Sequence, residues 1–226
     1  MKDIIHFLSE LYLHNEKPWF DAHKEQYLAV SATFNTFAQQ LISGVASFDA
    51  SVKNVTLKDC TYRIYRDLRF SPDKTPYKTH MGVYICPFGK KSSYAGYYFH
   101  VEPMGQHYLN GPLVACGLHC PTPDILKSVR EDIMCNGAAY QEAVQAAPNL
   151  TLSFDGALKR VPRGLPADSP YAPYFTLKDH LLCRDLDYSF IFDKNLLDNT
   201  LQLFREAYPY VTLLNRSVSY AYTEKI

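Results

Sequence analysis

The sequence predicts an α+β fold: an antiparallel sheet of about five strands with N- and C-terminal helices packed against it. Apolar residues recur at helical spacing up to about residue 48 and again after Pro121, whereas between about Val55 and Leu118 the period falls to two. Helices, then consecutive strands, then helices again place the helices on one side of an antiparallel sheet. No internal repeat, low-complexity segment or long linker divides the 226 residues, so residues 1–226 are expected to form a single domain.

From Lys2 onward, Ile4, Ile5, Leu8, Leu11 and Tyr12 form one stripe, and Phe20, Tyr27, Phe34, Phe37, Leu41 and Val45 another. The residues between them, Asn15 to Pro18, should separate two helices. Four runs then read as a strand meander: TYRIYRDLRF, MGVYICPF, YAGYYFHVEP and NGPLVACGL. Thr122 with Pro123 suits a cap and first turn, followed by Ile125, Leu126, Val129 and Ile133, and Asn136-Gly137 is expected to end that helix. Ala138 to Ala147 could form another short helix. The Pro-rich stretch from Val161 to Pro173 is irregular, and His180 to Tyr188 reads as the last strand. Two helices, about Asp193 to Ala207 and Pro209 to Tyr222, should close the chain.

Lys plus Arg and Asp plus Glu are 23 each, so no global field draws the chain to nucleic acid or an anionic membrane, and any electrostatic function must be local. The N-terminus is an amphipathic helix and not a signal peptide, and no stretch reaches the roughly 18 apolar residues of a membrane span. Six cysteines without an export signal are expected to be reduced thiols in a cytoplasmic protein.

The local charge is concentrated in TYRIYRDLRFSPDKTPYK, residues 61–78, where Arg63, Arg66, Arg69, Lys74 and Lys78 meet only Asp67 and Asp73. On a strand, Arg63, Tyr65, Asp67 and Arg69 would share a polar face. Tyr62, Ile64, Leu68 and Phe70 would face the core, with Arg66 at its margin or burying its stem. Ser71 to Lys74 suits a β-turn and Thr75-Pro76 stiffens its exit, which would hold Lys74 and Tyr77 beside the arginines. Two readings stay open. Arg63, Arg66, Arg69, Lys74 and Tyr77, with Asp67 positioning the arginines, could clamp a carboxylate or phosphate. Alternatively Asp67 bridges Arg63 and Arg69 in a structural salt lattice, with Glu102 or Asp185 taking up the rest.

The string Arg-x-x-Arg-Asp-x-Arg-Phe leading into Asp-Lys-x-Pro-Tyr, from Arg63 to Tyr77, resembles the signature of the bacterial family called domain of unknown function 2461. Trp19-Phe20 with Lys24 and Tyr27, the Gly-Tyr-Tyr strand near Tyr97, and Lys159 to Gly164 agree with it. The resemblance spans nearly the whole chain. It implies one domain of about this length and no particular reaction, substrate or cofactor.

His100 and Glu102 lie two apart, so on a strand they share a face, where a carboxylate can orient an imidazole for acid–base work. Cys116, His119 and Cys120 lack the usual knuckle spacing, and adjacent His119 and Cys120 would diverge on a strand; packed thiols, no metal and no cofactor are expected. Asp185 and Asp187 are expected to partner arginines. The expected function is binding of an anionic, phosphorylated or carboxylated small molecule, with His100 and Glu102 as a proton-transfer pair. The alternative is a non-catalytic module docking nucleic acid or an acidic protein through a basic face; a concave pocket favours the first and an open basic stripe the second.

Overall fold

Helices Lys2–Leu13 (α1), Lys17–Ala22 (α2) and Lys24–Ala46 (α3) open the chain in the computed structural model, which describes residues 1–69, 72–105 and 108–223. The expected pair of N-terminal helices is therefore three, because His23 leaves helical geometry between α2 and α3. A single 3-10 turn at Ala50–Val52 and the short helix Leu57–Cys60 (α4) follow, the latter closed at its start by a reciprocal capping box between Thr56 and Asp59.

The sheet has five antiparallel strands in the order β1-β2-β3-β5-β4: Met81–Ile85, Gly96–Val101, Leu113–Leu118, His180–Asp185 and, at the edge, the two-residue Thr151–Leu152. Period two sorts its side chains. Val83, Ile85, Tyr97, Phe99, Val101, Val114, Cys116 and Leu182 are fully buried against α3 and the C-terminal helix Leu196–Thr223 (α8). Phe37 meets Phe99 and Phe204 meets Tyr97 across this layer, at 5.0 and 5.4 Å between rings. The opposite face, carrying Tyr84, Tyr98, Leu113, Ala115, Gly117, Leu181, Cys183 and Asp185, lines a groove of about 1630 Å³.

Helix Pro123–Gln145 (α5) lies beside α8, joined to it by the Ser128 hydroxyl donating to the Ser217 carbonyl at 2.8 Å. Of the two expected breaks the first is present and the second is not. Asn136 leaves helical geometry at φ −131° and ψ 35°, so Pro123–Gln145 is two helices meeting at a kink, just before Gly137, where a Cβ would lie 2.1 Å from the Tyr171 ring. α8 continues through Pro209, with Leu203, Phe204, Ala207, Tyr210, Val211, Leu214 and Val218 forming one unbroken buried stripe. Short helices Ala172–Phe175 (α6) and Tyr188–Ile191 (α7) flank β5. Asp187 caps α7, accepting from the Phe190 amide at 2.8 Å, and no ion pair joins Asp185 or Asp187 to an arginine among the described residues, contrary to the partner role expected of them.

The largest departure is residues 61–69, expected to be a strand. They form only two isolated bridges, Thr61 with Val83 and Tyr65 with Tyr77. The segment pairs with its own return arm, Arg66 N–H donating to Pro76 O and Lys78 N–H to Ile64 O at 2.9 and 2.8 Å. Beyond Arg66, the Asp67 carboxylate accepts the backbone amide of Arg69 at 3.3 Å, a local bond that competes with ladder formation. From Arg63 on, exposure still alternates: Arg63, Tyr65, Asp67 and Arg69 are exposed, while Ile64 is buried and Arg66 and Leu68 half-buried. Tyr62, expected to face the core, is exposed, because its ring lies under the Lys78 and Lys90 ammonium groups at the groove. Phe70 and Ser71 lie outside the described residues.

No helix of the described residues is long and apolar enough to cross a membrane. Burial lowers the pKa of both His180, fully enclosed beside Tyr140, and His80 from the ordinary 6.5 to about 3. Each favours its neutral form in the fold, so its contribution is fully present above about pH 6.5 and is lost as pH falls toward 3. Unfolding free energy should therefore decline below pH 6.5, by up to about 1.4 kcal/mol per pH unit for each histidine. Urea unfolding between pH 7 and pH 4 measures the slope, and His180→Asn should reduce it.

Candidate functional site

The arginine loop is largely satisfied from within. Arg69 forks onto Asp67, with Nε–Oδ1 at 3.0 Å and Nη2–Oδ2 at 2.6 Å. Arg66 donates to Asp73 and Thr75. These hydrogen bonds hold both carboxyls down at about 2, with Arg69 the main cause for Asp67, and Arg66, then Thr75, for Asp73. Lys74 Nζ donates to the Leu68 carbonyl at 3.0 Å, tying the tip of the loop. Tyr77 is buried, its ring stacked on Phe20 at 4.0 Å and its backbone clamped by the Asn15 side chain at 2.9 and 3.0 Å. Arg63 is exposed at a small adjoining cleft with Tyr27 and Ser31, which shares Tyr62, Lys78 and His80 with the groove. Among these residues Asp67 thus bridges Arg69 and not Arg63, and Glu102 takes no part.

The groove selects a different set of cations. Arg66, Lys78 and Lys90 line it, together with Tyr62, His80, Tyr84, Tyr98 and Tyr108. Lys78 and Lys90 place their ammonium groups 5.3 and 5.7 Å from the centre of the Tyr62 ring, a cation–π arrangement that fixes both stems. Lys90 also donates to the Lys58 carbonyl. Lys78 is half-buried and forms no ion pair with a carboxylate among the described residues. Burial lowers its pKa, and Arg63, Arg66 and Lys90 lower it further by repulsion.

Beside these cations three polar side chains line up along β2. Tyr98 and His100 alternate on the strand, and Glu102, one residue past its end, continues the same spacing. The Tyr98 hydroxyl lies 2.8 Å from His100 Nδ1, and His100 Nε2 lies 3.3 Å from Glu102 Oε2. Both His100 and Glu102 are fully buried, and the Nε2–Oε2 approach lacks hydrogen-bond alignment. Glu102 is fixed through its other oxygen, which accepts the amides of Leu109 and Gly111 at 2.8 and 2.9 Å. Gly82, opposite His100 in the register, makes room for the phenol: a Cβ there would meet the Tyr98 oxygen at 2.6 Å.

His80 connects the two halves. Its ring lies 4.9 Å from that of His100 and stacks on Tyr108 at 4.2 Å, while Lys78 and Arg66 are close enough to disfavour its protonation. Burial raises the Tyr98 pKa, with Tyr62, Tyr108 and Glu102 adding to the effect. The phenol therefore keeps its proton at neutral pH.

Of the residues expected to bind a ligand, Arg66, Asp67 and Tyr77 line the groove, whereas Arg63, Arg69 and Lys74 do not. Lys78, His80, Lys90 and Tyr98 were not among the expected site residues. Tyr98 carried a legible signal, since it precedes His100 by the same two positions that separate His100 from Glu102.

At the end of β3 the expected divergence of His119 and Cys120 does not occur. β3 stops at Leu118, and Cys120 takes a positive φ of 48° that turns its side chain back toward His119, with Sγ 3.4 Å from Nε2.

A family model described as a conserved hypothetical protein (DUF2461) matches residues 3–213. No curated protein and no solved structure matches. With a match that runs from α1 into α8, the chain belongs to the DUF2461 family of conserved hypothetical proteins.

Proposed function

We propose that the groove binds a small anionic molecule, phosphorylated or carboxylated, with its negative group at Lys78. The observation that carries this reading is a half-buried ammonium crowded by Arg63, Arg66 and Lys90, with no carboxylate paired to it among the described residues. Such a group costs free energy in the empty protein, and a bound anion removes the cost. A concave site with a few convergent polar groups suits a small ligand better than the flat stripe a nucleic acid or acidic protein would need.

Tyr98, His100 and Glu102 supply acid–base chemistry next to that anion site. A ligand proton passes to the Tyr98 oxygen as the phenol's own proton moves across 2.8 Å to His100 Nδ1. The resulting imidazolium faces the Glu102 carboxylate at 3.3 Å, which stabilises it. Run in reverse, the same chain returns a proton to the ligand. Because His100 is fully buried, only the phenol needs to meet the ligand.

Isothermal titration of the protein with sugar phosphates, nucleotides and dicarboxylates tests the anion site. At least one class should bind, with affinity falling as salt rises, and Lys78→Met should weaken it tenfold or more. Equal binding by wild type and Lys78→Met would overturn the assignment.

A further inference from the structure

We propose that His119, Cys120 and Asp179 form an open three-ligand site for a borderline-soft divalent transition metal of the zinc type. The register of the sheet brings them together. Leu118 pairs with His180 in the antiparallel ladder of β3 and β5, so the next residues outward, His119 and Asp179, face each other across the strand ends. Two side chains that a continuing strand would send apart are joined by the left-handed turn at Cys120. A β-carbon residue adopts that conformation only at a cost in free energy, and such strain gathers at functional positions.

One ligand atom from each residue lies within 4.8 Å of the others. His119 Nδ1 is 3.5 Å from Asp179 Oδ1 and 3.9 Å from Cys120 Sγ. Tetrahedral zinc, with bonds of about 2.3 Å to sulfur and about 2.0–2.1 Å to nitrogen or oxygen, separates its ligand atoms by about 3.5 Å. The two spacings from His119 Nδ1 are close to that, so binding needs rotations of the exposed His119 and Cys120 side chains about the half-buried Asp179. The Cys120 amide already donates to Asp179 Oδ1 and orients the carboxylate, as outer hydrogen bonds do at metal sites.

A thiolate, an imidazole and a carboxylate suit zinc or cobalt and not magnesium or calcium. Three protein ligands leave a fourth position, and all three residues line the open-face groove, so a water or a ligand group could fill it from there. The site stands independently of the anion site at Lys78.

Cobalt(II) is the probe. Reduced, metal-free protein titrated with it should develop a thiolate-to-cobalt charge-transfer absorption at one equivalent, removed by one equivalent of zinc(II). Cys120→Ser should abolish the band, and Asp179→Asn, which keeps the acceptor for the Cys120 amide, should weaken cobalt affinity at least tenfold. Cys135→Ser, at the other exposed cysteine, should leave the band intact. His119→Ala, at a side chain that is itself exposed, gives a second reading should Cys120→Ser fold poorly, and it should weaken binding to the same extent. Absence of the band in wild type, or its survival in Cys120→Ser or undiminished in His119→Ala, would overturn the proposal.

Discussion

Replacing Glu102 with alanine is expected to lower the unfolding free energy by about 3–5 kcal/mol, more than any substitution in the arginine loop. The carboxylate is fully buried and accepts two backbone amides, from Leu109 and Gly111. Alanine leaves both donors without their acceptor, and each buried unsatisfied donor costs about 1–3 kcal/mol. It also opens a cavity beside His100 and removes the group facing Nε2. Glu102→Gln keeps an acceptor oxygen and should cost clearly less. Denaturant unfolding of the two variants measures the difference, and a Glu102→Ala loss under about 1 kcal/mol would contradict the assigned role.

Gly117→Ala should be comparably damaging, at about 4 kcal/mol or more, for a backbone reason. Gly117 sits within β3 at φ +132°, a conformation that residues with a β-carbon rarely adopt. A Cβ at that position would lie 2.0 Å from the His180 carbonyl oxygen on β5 and 3.2 Å from the Tyr210 ring. Backbone strain of about 1–3 kcal/mol adds to overpacking of similar size. The change forces β3 and β5 apart where His180, Tyr140 and Tyr210 form a buried chain of hydrogen bonds at 2.9 and 2.7 Å. The Tyr84 hydroxyl, which donates to the Gly117 carbonyl at 3.2 Å on the groove side, would be disturbed as well. Chemical denaturation, with near-ultraviolet circular dichroism following the tyrosines, checks both effects.

Periodicity made the layered architecture legible because one face of the sheet packs on helices, and its fully buried apolar side chains, Val83 and Ile85, Tyr97 and Phe99, Val114 and Cys116, recur at every second position. The same rule put His100 and Glu102 together, and it extends to Tyr98. Of the local stop signals, Asn136-Gly137 does mark a kink between two helices, whereas Pro209 does not end α8, because it lies off a buried stripe that continues past it. The arginine loop was misread because strand geometry was inferred for a segment whose carboxylates bond to their own neighbours. Once Asp67 takes Arg69 and Asp73 takes Arg66, the excess charge is left at Arg63, Lys74 and Lys78, of which Lys78 alone lines the groove, and its importance depends on long-range burial and not on its local sequence. The His119–Asp179 approach was likewise hidden, because it depends on pairing between strands some sixty positions apart.

Arg69 provides the internal control for the anion site. It is exposed, forked onto Asp67 and outside the groove, so Arg69→Ala should change stability by no more than about 1 kcal/mol and should leave any ligand effect in place. Thermal unfolding of wild type, Arg69→Ala and Lys78→Met, at fixed ionic strength against sugar phosphates, nucleotides and dicarboxylates, decides whether Lys78 holds an anion. An anion should stabilise wild type and Arg69→Ala alike, by about 2.7 kcal/mol at a hundredfold excess over its dissociation constant. Lys78→Met, relieved of a crowded half-buried charge, should melt no lower than wild type without ligand and gain at most about 1.4 kcal/mol from the same anion concentration, as a tenfold or greater loss of affinity requires. A wild type indifferent to every anion, or a Lys78→Met protein stabilised as much as wild type, would contradict that role.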